Sequence, residues 1–498
     1  AAPAALRAAA QPQRDADLLL RSEGPPAPAS RPAAGAGASG AEPPPAGATL
    51  RVAVLATQDE FDETSLFDVG MVSNTGNGRR YAAQALLRSL VDAEGVELVA
   101  VLLYDWKNAA DDAESRWPVP AEGPQLVQVR IRGGAPVAAW RGTFGQLVGA
   151  AAGELDADVA VAIQARRASL ELLRLAVRAR RYVVMGHDYN LPYGPWGMEV
   201  EASTLPLHRG LLEEPQVSMF CTSRHHLDFV RRFSEGRVRA ELCYCADYGY
   251  FDGTETPGGE AFVDGSCVTF ISPCPAKGLP IVLRLAAMLP AARFLCVSTS
   301  WTKTLHEVQL RAHPNIEVVP GTDDIDSLYR RTAVLLMPSL WAESFGLVAV
   351  EAQLRGLPVV STDACGLSEA NFLPELRVPD VPLVHDSRTR EMLRGVTIEA
   401  AERTLDPQRP GAEGTPEEVQ RRRVEIAHTL VATEAEAAGF AAALRGLLGD
   451  PAGRRRFGLK AQRLARAHVE ERRGKFLSSL RALVAGATPG EAMAEQPG

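Results

Sequence analysis

AVLLMPSLWAESFGLVAVEAQLRGLPVVSTDACGLSEA, residues 333–370, decides how the rest of the chain is read. An apolar run at 333–337 ends at Pro338 and Ser339, and Leu340 and Trp341 open a turn. Residues 346–355 are mostly good helix formers, and Gly356 stands where a C-terminal helix stop belongs. A second apolar run follows around Pro358. The pattern predicts strand, loop, helix, strand: one βαβ unit with Gly346 where the loop enters the helix.

This arrangement has chemical consequences. The free N–H groups of a helix's first turn, here Gly346 and Leu347 onward, offer partial positive charge to an anion. Gly346 lacks a Cβ, so a phosphate is expected to approach its backbone. Glu343 precedes the helix, in the crevice at the carboxyl ends of the strands where open α/β sheets bind ligands. Glu351 lies inside the helix with Leu347, Val348 and Leu354 about one turn away. Ribose hydroxyls would suit a partly buried carboxylate there, since burial without hydrogen bonds is costly. An ion pair to Arg355 is an equal alternative, worth ~0.3–0.5 kcal/mol if exposed.

With these motifs in order, the stretch resembles the retaining glycosyltransferases of family 4, which have the GT-B fold. The resemblance rests on Glu343-Ser-Phe-Gly-Leu-Val-Ala-Val-Glu351, Gly356-Leu-Pro-Val-Val360 and Gly366-Leu-Ser-Glu369. It implies that Glu343 lies at the donor sugar, that Glu351 holds the nucleotide ribose, and that Phe345, Gly346 and Leu347 line the donor site. It extends to Lys277-Gly278, whose ammonium would contact the diphosphate, and to Gly321, where the base would rest against backbone. Ser272 stands where the family usually has an arginine as second phosphate contact. Leaving-group charge would then fall to Lys277, the helix at Gly346 and Arg79. The run from Tyr244 to Phe251 resembles the segment that ends the family's first domain, with Ala246 in place of the usual glycine.

Bulk properties agree with a large globular chain. There are 498 residues, 46% hydrophobic and 23% charged, enough for several cores. The net charge of −8 argues against generic binding to nucleic acid or an anionic membrane. Seven scattered cysteines form no framework and read as reduced, buried thiols. Cys243 and Cys245 would share one face of a strand. No run is long enough to span a membrane. The chain begins with Ala, which allows for an upstream anchor or targeting segment. The expectation is a cytoplasmic protein, or one at the cytoplasmic face of a membrane with peripheral association.

The expected organisation is α/β: two doubly wound Rossmann-like domains facing across a cleft, with a helical C-terminal segment. Residues 1–48, rich in Ala, Pro and Gly, read as a disordered tail. Residues 49–252 form the first, acceptor-side domain, 253–265 the linker, and 266–450 the nucleotide-sugar domain with an insertion at 371–433. Residues 451–498 return as helices to the first domain. Strands at 51–56, 98–103, 126–131, 159–163, 182–185, 217–221 and 240–245 alternate with helical segments, one at 170–181 carrying Arg174, Arg178, Arg180 and Arg181. Gly76 and Gly78 precede a helix and would cradle phosphate or sugar, or simply supply turn conformations. His187, followed by Asp188, sits at a strand's carboxyl end and could reach a donor or acceptor. Asp156 and Asp158 read as capping residues in a helix-to-strand turn.

The implied activity is transfer of a sugar from a UDP- or GDP-linked donor to a hydroxyl of a glycan, lipid or small molecule, with no metal required. Lys277, Glu343 and His187 are the catalytic candidates. The alternatives are a binding protein of the same fold without transfer activity, and a nucleotide-sugar epimerase.

Overall fold

The computed structural model describes residues 48–57, 78–104, 123–129, 136–151, 155–189, 191–193, 205–252, 261–299, 301–322, 324–381 and 432–486. The expected tail, most of the linker and most of the insertion lie outside the described residues, as does Gly76.

The first lobe holds β1 (Leu50–Thr57), β2 (Val96–Tyr104), β3 (Gln125–Val129), β4 (Val137–Gly142), β5 (Leu155–Ala162), β6 (Val177–Gly186), β7 (Val217–Cys221) and β8 (Ala240–Leu242). Their order across the sheet is β3-β4-β2-β1-β5-β6-β7-β8. Helices α1 (Gly78–Val91), α2 (Phe144–Ala151), α3 (Arg167–Ala176), α4 (Leu205–Leu212) and α5 (Arg224–Phe233) accompany them. The second lobe holds β9 (Cys267–Ile271), β10 (Arg293–Ser298), β11 (Ile316–Pro320), β12 (Thr332–Met337), β13 (Val359–Thr362) and β14 (Arg377–Val378), ordered β11-β10-β9-β12-β13-β14. Its helices are α6 (Leu279–Met288), α7 (Thr304–Arg311), α8 (Ile325–Tyr329), α9 (Leu347–Leu354) and α10 (Leu367–Ala370). Three C-terminal helices follow: α11 (Glu434–Gly449), α12 (Pro451–Arg472) and α13 (Lys475–Val484).

Both sheets reverse their winding beside their first strand, between β1 and β5 and between β9 and β12. That reversal opens a crevice at the carboxyl ends, because the connections on its two sides leave in opposite directions. β9 and β12 read as apolar runs and are almost wholly buried, as strands covered on both faces must be.

Several expectations needed correction. The pairing of β3 with β4 is antiparallel, and the expected uniformly parallel series does not include it. The helix expected at 170–181 ends at Ala176, and the chain turns directly into β6. Arg178 and Arg180 therefore project from a strand, where they pair with Asp156 and Asp158 of β5. Those aspartates are not turn caps: they sit on the strand itself, and Asp158 also accepts the Arg51 amide at 3.0 Å. Cys243 and Cys245 do not share a strand face, because β8 ends at Leu242 and a 3₁₀ turn covers Cys245–Tyr248. All seven cysteines are free and buried.

The C-terminal helices join the lobes. α11 lies on the second lobe, where Ala432 accepts from the Arg284 guanidinium at 2.6 Å. α12 starts against the same lobe, with Gln462 donating to the Leu354 carbonyl at 3.0 Å. It ends at the first lobe, where Arg472 makes a two-pronged pair with buried Asp247 at 2.8 and 3.2 Å. α13 then seats on the first sheet: Phe476 meets Phe220 edge-on, and the Leu483 carbonyl accepts from Arg181.

Candidate active site

The crevice of the second sheet is built by two loops. One follows β9 and carries Ser272 to Gly278; the other follows β12 and carries Pro338 to Gly346. Gly278 has φ +97°, and a Cβ there would lie 2.0 Å from the Pro338 carbonyl oxygen. Only glycine permits the loops to touch this closely. The Ala276 carbonyl accepts the Leu340 and Trp341 amides, each at 2.9 Å.

That contact brings Lys277 and Glu343 together. The Lys277 Nζ lies 2.5 Å from Glu343 Oε1, and the Ser339 hydroxyl donates to the same oxygen at 2.9 Å. The lysine side chain stays 34% exposed while the glutamate is 13% exposed, so the lysine is the more open member of the pair. Glu343 also acts on Cys365: burial first, then the Glu343 charge, push that thiol up to about 12. The Gly366 amide donates to the Glu343 carbonyl at 2.8 Å, so the G-L-S-E turn braces the glutamate's backbone.

Gly346 caps α9 with φ +115°. Its missing Cβ serves packing, since an added Cβ would lie 2.6 Å from Leu367 Cδ2. The glycine faces α10 on that side. The amides of α9's first turn still begin at the crevice beside Glu343. Leu347 is half-buried in that turn. The Phe345 side chain does not open on the crevice: it is 2% exposed and packs on Tyr244 and His468. Burying so large a ring stabilises the loop by about 1.5–3 kcal/mol, which decides its direction.

Glu351 sits in the second turn of α9. Its Oε1 accepts from the Tyr250 hydroxyl at 2.8 Å. The alternative ion pair with Arg355 is not formed. That guanidinium binds Asp326 Oδ1 at 2.5 Å and the Glu351 backbone carbonyl at 3.0 Å.

Ser272 holds a left-handed backbone, φ +62°, and its hydroxyl meets that of Thr299 at 2.9 Å. Gly321 follows β11, two strand spacings from β9, or about 10 Å. It belongs to the same edge of the sheet but not to the Lys277–Glu343 cluster.

The first lobe reaches this edge from across the crevice. His187 follows β6 and is half-buried; its carbonyl accepts from the Ser344 hydroxyl at 2.5 Å, next to Glu343. Glu369 takes the Arg224 and His225 amides at 3.0 and 2.9 Å and the Tyr244 hydroxyl at 2.6 Å. A second-lobe carboxylate thus covers the start of first-lobe helix α5, whose own N-cap is Ser223. Gly78 opens α1, while the Arg79 side chain lies outside the described residues. Tyr250, Ser339 and Ser344 were not found from sequence; only Ser339, beside Pro338 at a strand's end, carried a local signal.

Among the described residues, no group of three or more His, Cys, Asp or Glu is placed to hold a metal ion. No described helix is long and apolar enough to cross a membrane.

The fold and edge define a two-lobed α/β protein with a lysine–glutamate pair at the switch point of its second sheet. Residues 266–380, which contain that pair, match the family described as glycosyl transferases group 1. Among curated proteins, the D-inositol 3-phosphate glycosyltransferase of Mycobacterium tuberculosis is 34% identical over 119 residues, 22% of this chain and 25% of that protein. The chain therefore spans about a quarter of the length of the curated relatives it matches. Among solved structures, sucrose-phosphate synthase from Thermosynechococcus elongatus is similar at 14% identity and TM-score 0.45, covering 80% of this chain and 99% of that one. Anabaena HepE in complex with UDP-glucose is similar at 16% identity and TM-score 0.43, covering 80% and 100%.

Proposed function

We propose that this protein is a glycosyltransferase that moves a sugar from a UDP- or GDP-linked donor to an acceptor hydroxyl, with retention of anomeric configuration. One observation carries the reading. Lys277 and Glu343 meet beside the entrance to α9, inside the segment that matches the transferase family. In this reading the diphosphate lies between the Lys277 ammonium and the first amides of α9. Both stabilise charge that grows as the sugar departs. Glu343, held by Ser339, orients the ammonium before the donor arrives and then faces the sugar hydroxyls. Glu351 takes the ribose, and Gly321 the base. The acceptor hydroxyl enters on the face the diphosphate leaves, and its proton passes to the departing phosphate oxygen. This chemistry asks for no metal. His187 borders the acceptor side. The acceptor is a glycan, lipid or small molecule.

A thermal-shift panel of UDP-, GDP- and ADP-sugars tests the donor. A true donor at a hundred times its Kd adds about 2.7 kcal/mol of stability; no shift with any of them sinks the reading. Product analysis by NMR then reports the anomer, and an inverted product overturns retention. A second reading, donor binding without transfer, is favoured by Ser272, whose hydroxyl is turned to Thr299 where the resemblance expects a cation. A protein that binds a donor, yet neither hydrolyses nor transfers it, would establish that one.

A further inference from the structure

We propose that Tyr250 is a positioning residue that aims the Glu351 carboxylate at the ribose of the donor, so that the first lobe sets nucleotide affinity in the second. The inference rests on the ribose assignment above. Tyr250 lies in the last described turn of the first lobe. Its amide donates to the Cys245 carbonyl at 3.1 Å, and Gly249 before it holds φ +74°. That turn is itself anchored, because Asp247 takes the Tyr244 amide at 2.9 Å and the Arg472 guanidinium. The ring packs edge-on against Phe251, with centroids 4.9 Å apart. The hydroxyl is thus held in place before any ligand binds.

Glu351 is fixed from its own side too. Arg355 binds its carbonyl, and Asp326 holds Arg355. Burial first, and then the charge of the same carboxylate, push the pKa of the buried Tyr329 phenol well above its ordinary value. An ionised carboxylate offers about four lone-pair directions, and the Tyr250 hydroxyl takes one on Oε1. Glu351 as a whole is half-buried rather than sealed. A side chain immobilised this way need not be ordered when the ribose arrives, and affinity rises accordingly.

Calorimetry with UDP, GDP, their 2′,3′-dideoxy forms and pyrophosphate tests this on the full chain. The wild type should prefer the ribo form over the dideoxy form about tenfold, the size of one hydrogen bond to a charged group. Tyr250→Phe should bring that preference near parity and leave pyrophosphate binding unchanged. Glu351→Gln should do the same, and the double variant should lose nothing further. Glu351→Asp, which shortens the contact with Tyr250 intact, should reproduce the loss and guards against a Tyr250→Phe protein that does not fold. A variant with a lower melting temperature but an intact ribo preference overturns the proposal, as does full additivity in the double variant. A wild type that binds no nucleoside diphosphate overturns the glycosyltransferase reading along with it. A wild type that binds both forms equally overturns the ribose assignment alone.

Discussion

The two sheets share a winding but not a way of presenting chemistry. At the carboxyl end of the second sheet, side chains are locked to one another: Lys277 to Glu343, Glu343 to Ser339, and the two loops to each other through Gly278. The described part of the first lobe instead reaches across with main-chain groups and phenols, namely the His187 carbonyl, the Arg224 and His225 amides, Tyr244 and Tyr250. One lobe carries the charged groups and the other holds them in register. Substitutions in the two should therefore fail differently.

The largest expected effect is on the charged side. Lys277→Ala should cut kcat by about 10²–10³, the usual loss when a donor to developing charge is removed. Nucleotide affinity should fall much less, as steady-state kinetics beside calorimetry would show. Equal losses in both would mean that the lysine binds rather than catalyses. Next is Gly346→Ala, which forces a left-handed backbone on alanine and drives its Cβ into Leu367. About 1–3 kcal/mol of stability should be lost, measured by urea unfolding. An unchanged midpoint would show that the α9 entrance adapts.

Glu369→Ala probes the bridging side. It takes the carboxylate from the Arg224 and His225 amides at the start of α5 and releases Tyr244, so about 1–2 kcal/mol should go. The Lys277–Glu343 pair should keep its arrangement, with kcat retained at saturating donor. A kcat loss as large as that of Lys277→Ala would erase the division between the lobes.

The smallest effect is a pH slope. Burial lowers His226 to about 3 and both His208 and His468 to about 4. The unfolded chain, with ordinary histidines near 6.5, binds more protons in that range. The stability these groups contribute is complete above about pH 6.5 and drains away as pH falls toward 4. Melting temperatures should drop over this window. His468→Phe, at a site already walled by Phe345, Phe372 and Tyr244, should flatten the drop. An unaltered slope would remove His468 from the account.

Much of the second lobe was legible because its signals are local. Apolar runs, the two spaced glutamates, Gly346 and Lys277-Gly278 each report on a few neighbouring residues, and the structure brings Lys277 and Glu343 together past the ends of β9 and β12. The misreadings arose where remote pairing overrode local pattern. Arginines at 174–181 look like a helix face until Asp156 and Asp158 on the next strand draw two of them into a sheet. Phe345 borders the crevice in sequence, yet Tyr244 and His468, each more than a hundred positions away, bury it. Tyr250 carries no local signal at all, since its partner lies in the other lobe.

The long helix α12 begins on one lobe and ends on the other, and α13 lies flat on the first sheet beyond it. The two lobes are therefore joined twice along the chain, once between the described residues Asp252 and Ala261 and again here. Two such joins resist twisting or sliding of one lobe past the other. A chain cut after Arg473 would keep the α12 crossing and lose α13. It would bare the greasy rings of Phe220 and Tyr248, and the first symptom would be clumping in solution.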